Sequence, residues 1–162
     1  MNWQEVCGNK NLYDLPFKIE LNKWGQIVMS PAKVIHSFYQ SRIQTLLEKL
    51  LTGGIAMQEC AIQTSDGVKV ADVVWVSSAR VSIILQEVAA SIAPEICVEV
   101  KSASNTLEEM LLKKKLYLNA GALEVWLCDK AGKLRFYNKQ GQIEHSIHVP
   151  NFPKQIKPTL DN

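Results

Sequence analysis

Between Gly54 and Ser77 two apolar-rich stretches, GIAMQECAIQT and KVADVVWVS, meet at Ser65-Asp66-Gly67. Asp-Gly between such runs is a hairpin signal, because both residues tolerate the positive φ of a tight turn. Two strands joined in this way commit the chain to a sheet. The returning strand carries an oddity. Side chains alternate faces along a strand, so Val70, Asp72, Val74 and Val76 share one face while Ala71, Val73 and Trp75 share the other. Asp72 then lies among apolar neighbours, where aspartate is usually avoided. It needs either water at the strand end or a cationic or metal partner.

A second stretch, PEICVEVKS from Pro94 to Ser102, reads as a short core strand with charge near its end. The same alternation puts Glu99 and Lys101 on one side and Val98 and Val100 on the other. Burying such a pair is costly and a structural strand gains nothing from it. A metal-dependent hydrolase does use it: the carboxylate holds the cation and the lysine positions or activates water. An ordinary strand end with a surface ion pair would show the same pattern.

The remaining elements follow from periodicity and punctuation. Pro16–Leu21 suits an edge strand or lead-in, and Gly25–Pro31 a strand ended by Ser30 and Pro31. Ser30 is a plausible N-cap for a helix from about Ala32 to Leu51, stopped by Thr52, Gly53 and Gly54. A helix is expected over Ser77–Ser91, and another over Thr106–Asn119 with Asn105 or Ser104 as its cap. Strands are expected at Leu123–Asp129, Leu134–Asn138 and Ile143–Val149, with an irregular, proline-punctuated tail over 150–162. Strands in mixed order with helices between them predict an α/β fold with a mixed central sheet flanked by helices.

Composition bounds the reading. The chain has 162 residues, with 47% hydrophobic and 21% charged, enough to bury a core as a single domain. A net charge of +2 does not by itself imply nucleic acid. No apolar run is long enough to span a bilayer and no charged-then-apolar leader opens the sequence, so a cytoplasmic location is expected. Cys7, Cys60, Cys97 and Cys128 are far apart, with no CxxC, which speaks against a zinc site and fits a reducing compartment. His145 and His148, if on a strand, point to opposite faces. His36 reads as a polar surface or packed residue, and the four tryptophans as core or interface.

Asp72, Glu99 and Lys101 together form a D…ExK arrangement on adjacent strands. Two carboxylates can hold Mg²⁺ or Mn²⁺, hard cations that prefer oxygen. Three such common residues are a weak signal alone. The surrounding order, DGVKVADVVWVS, then PEICVEVKSAS, then LEEMLLKKKLYLNAGALEVWLCD, resembles the Uma-two (Uma2) family of restriction-endonuclease-like proteins, within the PD-(D/E)XK nuclease superfamily. The resemblance covers about Glu20 to Tyr137 and extends, more weakly, to WGQIVMSPAKVIHSFY.

The resemblance implies a restriction-endonuclease-like fold and a Mg²⁺- or Mn²⁺-dependent nuclease acting on nucleic acid, with DNA the expected substrate and a homodimer the expected assembly. It implies Asp72 and Glu99 as metal ligands, Lys101 as the catalytic lysine, Glu59 as a third carboxylate, and Lys113 as the family's helix lysine. Glu109, Lys113 and Tyr117 are spaced to share one helix face. Periodicity alone favours Lys114 over Lys113. Ala71 stands where the family usually has proline, which changes backbone stiffness without removing a ligand. The rival expectation is a binding or assembly module that keeps the nuclease fold without activity.

Overall fold

The computed structural model describes residues 1–160. Residues 161–162, the end of the expected irregular tail, lie outside the described residues. In chain order the elements are α1 (Trp3–Gly8), β1 (Phe17–Leu21), β2 (Ile27–Pro31), α2 (Val34–Leu50), β3 (Gly54–Thr64) and β4 (Gly67–Ser77). They continue with α3 (Ser78–Ile84), β5 (Ile96–Val100), α4 (Leu107–Asn119), β6 (Glu124–Cys128), β7 (Leu134–Asn138) and β8 (Gly141–Ile143). β1 and β2 form an antiparallel ribbon of their own. β3 to β8 form a six-stranded sheet in that spatial order, antiparallel except for β5 and β6. α4 links the parallel pair, which needs a crossover. The mixed α/β sheet flanked by helices is thus the observed architecture.

Several boundaries differ from expectation for local reasons. Ser30 does not cap α2, because it pairs with Lys18 inside the ribbon. Lys33 takes the N-cap position, with no side-chain cap bond. The helix expected over 77–91 shrinks to Ser78–Ile84, after which the chain turns back and Ala90 bridges to Ile62. Thr106, rather than Asn105 or Ser104, caps α4, in a reciprocal capping box with Glu109. Asn105 is occupied instead, accepting from the Ser102 N–H at 2.7 Å. The strand expected over 143–149 is only Gly141–Ile143. The next residues curl over buried Glu124, which accepts from Ser146 Oγ at 2.6 Å, the Ile147 N–H at 2.9 Å and the His148 N–H at 3.1 Å. His145 and His148 therefore lie on no strand.

The sheet is covered on both faces. One layer joins Tyr39, Ile43 and Leu47 of α2 to Val98, Trp126 and Phe136. The segment after β8 is irregular, as expected, yet its Val149, Phe152 and Ile156 are buried in this same layer. Trp126 meets Phe136 edge-on at 5.1 Å and Phe152 at 4.6 Å. The other layer sets Ile84 of α3 and Met110, Tyr117 and Leu118 of α4 against Val74, Cys97 and Val125. Each large apolar side chain buried in this way contributes about 1.5–3 kcal/mol.

One residue interrupts the regular sheet. Glu59 adopts a left-handed φ of 54°, and β3–β4 pairing skips from Gln58–Val73 to Cys60–Ala71. The alternation changes phase there. Ala56 belongs to the α2 layer and Met57 to the other, yet beyond Glu59 it is Cys60 and Ile62 that face that second layer. On β4, Val73 faces α2 while Ala71 faces away from it. The single face predicted for β4 therefore does not run its whole length. The outer edge of β3 is tied down on both sides of this break. The Ala56 N–H donates to Glu48 at 2.9 Å, and Ala56 O accepts from Gln44 at 3.4 Å. Farther along, Ala61 O accepts from the Ala90 N–H at 2.8 Å and the Gln63 N–H donates to Ala90 O at 2.9 Å. No helix among the described residues is long and apolar enough to cross a membrane.

Candidate active site

The ladder between β4 and β5 runs from Trp75–Ile96 to Val73–Val98 and then ends. Where it ends, the carboxylate of Asp72 takes over. Its Oδ2 accepts the Val100 N–H at 2.7 Å and lies 3.3 Å from His36 Nε2. Its own carbonyl accepts from Gln40 Nε2 at 3.1 Å. His36 Nε2 also lies 3.1 Å from Val100 O. Helix α2 thus clamps the end of β4 and β5 through two polar side chains of one face.

Glu99 and Asp72 are equally buried. Glu99 is held by side chains of α4. Its Oε1 accepts from Tyr117 Oη at 2.6 Å, and Lys113 Nζ lies 3.5 Å away. Lys113 chiefly pairs with Glu20 at 2.8 Å, and Glu20 also accepts the Val70 N–H at 2.7 Å. The centre of the cluster is Lys18 of β1. Its ammonium donates to Asp72 Oδ1 at 2.9 Å and to Glu99 Oε2 at 3.3 Å. The two carboxylates are therefore close enough to share one cation, and Lys18 supplies the charge. A cleft of about 270 Å³ opens over this point, lined by Lys18, His36, Glu59, Asp72 and Val100 among others.

The burial and charge of the cluster set its protonation. Burial opposes ionisation of Asp72, but Lys18, His36 and the Val100 N–H outweigh it and hold the carboxyl well below the usual range. For Glu99 burial dominates: Lys113 and Lys18 offset it only in part, Asp72 and Glu20 repel, and the carboxyl is pushed up to about 7. Burial alone would lower Lys18 and His36, yet their carboxylate neighbours raise both. Burial and the adjacent Glu99 push the Tyr117 hydroxyl well up, so it stays a donor.

The structure thus brings Asp72, Glu99 and Lys113 of the expected set together. Glu59 lies on the rim of the same cleft, exposed and with no hydrogen-bond or ion-pair partner among the described residues. Lys101 does not reach the carboxylates. β5 ends at Val100, so strand alternation no longer governs the next side chain, and Lys101 Nζ donates to Asn105 O. Lys18, Glu20 and Gln40 join the cluster without having been expected there, and His36 is more than an ordinary polar residue. A signal for the first two is present: Lys18 and Glu20 are two apart on a strand whose alternate positions are Phe17, Ile19 and Leu21.

No three His, Cys, Asp or Glu side chains converge on a ready metal cage among the described residues. Two buried carboxylates sharing one cationic position are nevertheless a hard oxygen donor set, and a cation that keeps several waters suits it. The residues fit Mg²⁺ or Mn²⁺ taking the place held by the Lys18 ammonium.

Comparisons with known proteins bear on the same region. A family model described as "Putative restriction endonuclease", Uma2, matches residues 11–160. A search of curated proteins finds no match. Among solved structures, a crystal structure titled as a "putative nuclease belonging to DUF820" from Anabaena variabilis ATCC 29413 superposes with a TM-score of 0.69. It is 19% identical, over 88% of this chain and 83% of that one, which is a likeness of fold. The family match spans β1, the hairpin, the Asp72–Glu99 cluster and α4 in one piece, and on it the chain belongs to the Uma2 family of restriction-endonuclease-like proteins.

Proposed function

We propose that this chain is a Mg²⁺- or Mn²⁺-dependent nuclease that hydrolyses phosphodiester bonds in nucleic acid, DNA first among substrates. The observation that carries the reading is the buried Asp72–Glu99 pair meeting at one cationic position beneath an open cleft. A bound divalent ion would polarise the phosphoryl oxygen and lower the pKa of water. Asp72 and Glu99 would hold it, with Glu59 available from the rim. Tyr117 and Lys113 fix the orientation of Glu99 from behind. Lys18, whose ammonium bridges both carboxylates here, would move aside for the ion and, from beside it, take the role expected of Lys101: steadying negative charge as water attacks phosphorus. Cutting both strands of a duplex would call for two such sites, hence a homodimer, in a cytoplasmic setting.

The rival reading, a non-catalytic binding module, has its own support. Lys101 is turned onto Asn105, and Lys18 already neutralises the carboxylates. The test is Asp72→Asn. Cleavage of supercoiled plasmid with Mg²⁺ or Mn²⁺ should disappear and calorimetric Mn²⁺ binding should weaken, with an unchanged circular-dichroism spectrum. Cleavage at the wild-type rate in the variant would sink the assignment, and a wild type that neither binds metal nor cleaves would favour the rival.

A further inference from the structure

A second cavity of about 150 Å³ adjoins the cleft and shares His36 and Ser102 with it. Its walls include Lys33, Lys101 and Lys130, and no carboxylate lines it. Three lysines on one cavity with no acidic side chain make its wall locally positive, which favours an anion. Neither Lys33 nor Lys130 has an ion-pair partner among the described residues, and Lys101 is held only by the Asn105 carbonyl. The neighbouring Asp129 forms no ion pair with Lys130; its Oδ1 accepts from the Ala131 and Lys133 N–H groups of its own turn. Tyr39 Oη donates to the Lys130 carbonyl at 3.1 Å and so fixes that wall to α2.

Two further features point the same way. Lys33 is the N-cap of α2, a helix of 17 residues that begins with no side-chain cap; its carbonyl takes the His36 N–H at 3.0 Å, and Lys33, Ile35 and His36 bring the positive end of the helix to the pocket wall. His36, only 7% exposed, lines both cavities, and its buried Nδ1 has no hydrogen-bond partner among the described residues.

We infer that this pocket is a phosphate subsite, holding a backbone phosphate next to the one attacked at Asp72 and Glu99. The identity of the ligand rests on the nuclease reading above, whereas the capture of an oxyanion follows from the pocket itself. The pocket gives Lys101 a task at the substrate backbone. It also supplies a local phosphate contact that the net charge of +2 does not suggest.

The test uses the full chain, the double variant Lys33→Met/Lys130→Met and a charge-matched control, Lys115→Met/Lys139→Met, whose lysines line a separate surface hollow. Inorganic phosphate is titrated into ¹⁵N-labelled protein. The amides of Val34 to His36 and of Lys101 and Ser102 should shift saturably in the millimolar range in wild type and control, and not in the Lys33/Lys130 variant. Binding of a fluorescent DNA duplex should weaken roughly tenfold or more in that variant only. Its log–log salt slope should flatten by about 0.9 for each phosphate that the variant no longer neutralises. Mn²⁺ binding should be unchanged. Phosphate shifts that do not saturate, or that survive in the variant, overturn the pocket. Saturable phosphate binding with DNA affinity equal in all three proteins overturns its role as a substrate subsite, while loss of cleavage in Asp72→Asn would leave the nuclease reading standing. A wild type that neither binds nor cleaves nucleic acid overturns the identity of the ligand, and the phosphate titration still decides the pocket.

Discussion

Replacing Glu99 with Gln should remove a specific pH dependence from the stability of this protein. Glu99 is fully enclosed, and its carboxyl is raised from an ordinary 4.5 to about 7. Between those values the folded protein keeps the proton and the unfolded chain releases it. Stability must therefore fall as pH rises across this window, by about 3 kcal/mol in all. His36 acts in the same sense at the upper end, because its raised pKa stabilises the fold below the unfolded value and the benefit fades as pH climbs through the folded one. Asp72 acts outside the window: its contribution is present above the unfolded carboxyl value and is lost only in strong acid. Glutamine keeps the size of Glu99 and can still accept the Tyr117 hydrogen bond, but it cannot titrate. The assay is urea unfolding at closely spaced pH values from 4.5 to 8, with a chelator present, for wild type and Glu99→Gln. The difference in stability between the two should shift by about 3 kcal/mol in favour of the variant toward high pH. Parallel profiles would refute the argument, since they would mean that Glu99 is ionised throughout.

Lys113→Met should cost about 3–5 kcal/mol, because it leaves buried Glu20 without its ion-pair partner and removes one of the two cations beside Glu99. Adding Glu20→Gln should restore much of that loss, and a double-mutant cycle from denaturant curves measures it; additive losses would contradict the pairing. Gly132→Ala should destabilise by about 2 kcal/mol or more, because φ is +81° there and a Cβ would come within 2.0 Å of Ile156 O. Limited proteolysis should then cut sooner beyond Val149, since the Gly132 turn holds that segment through the Ile156 N–H at 2.8 Å.

Much of the sheet is legible in the sequence because its strands are apolar and its turns carry Gly or Asp. The hairpin, α4 and the run into β6 all follow from such local signals. What stays hidden is long-range. Nothing near Glu124 in sequence foretells that residues 146–148 will fold over its carboxylate, so that stretch reads as a strand where the chain curls instead. The helix after Ser77 stops early because Ala90 finds Ile62, 28 residues back. The site shows the same division. Asp72 and Glu99 stand out as charges in apolar strands. Lys18 and Glu20 sit in a stretch that reads only as an edge strand or lead-in, and the ribbon packing against β4 gives them their place. Lys101 falls beside Glu99 only if strand alternation is extended one residue past the end of β5.

The two edges of the sheet set a limit on how copies of this chain can meet. An exposed strand edge is a template for another chain, and a long one invites fibres or an extended shared sheet. Here β3, eleven residues long, has the outward groups of Ala56, Ala61 and Gln63 engaged by Glu48, Gln44 and Ala90, with the outward parity switching from even to odd positions at Glu59. The opposite edge, β8, offers only three residues. Docking by strand addition is thus discouraged at both ends. A homodimer of this protein would have to form through helices, the β1–β2 ribbon or the rim of the cleft, and the continuous sheet would stay confined to one subunit.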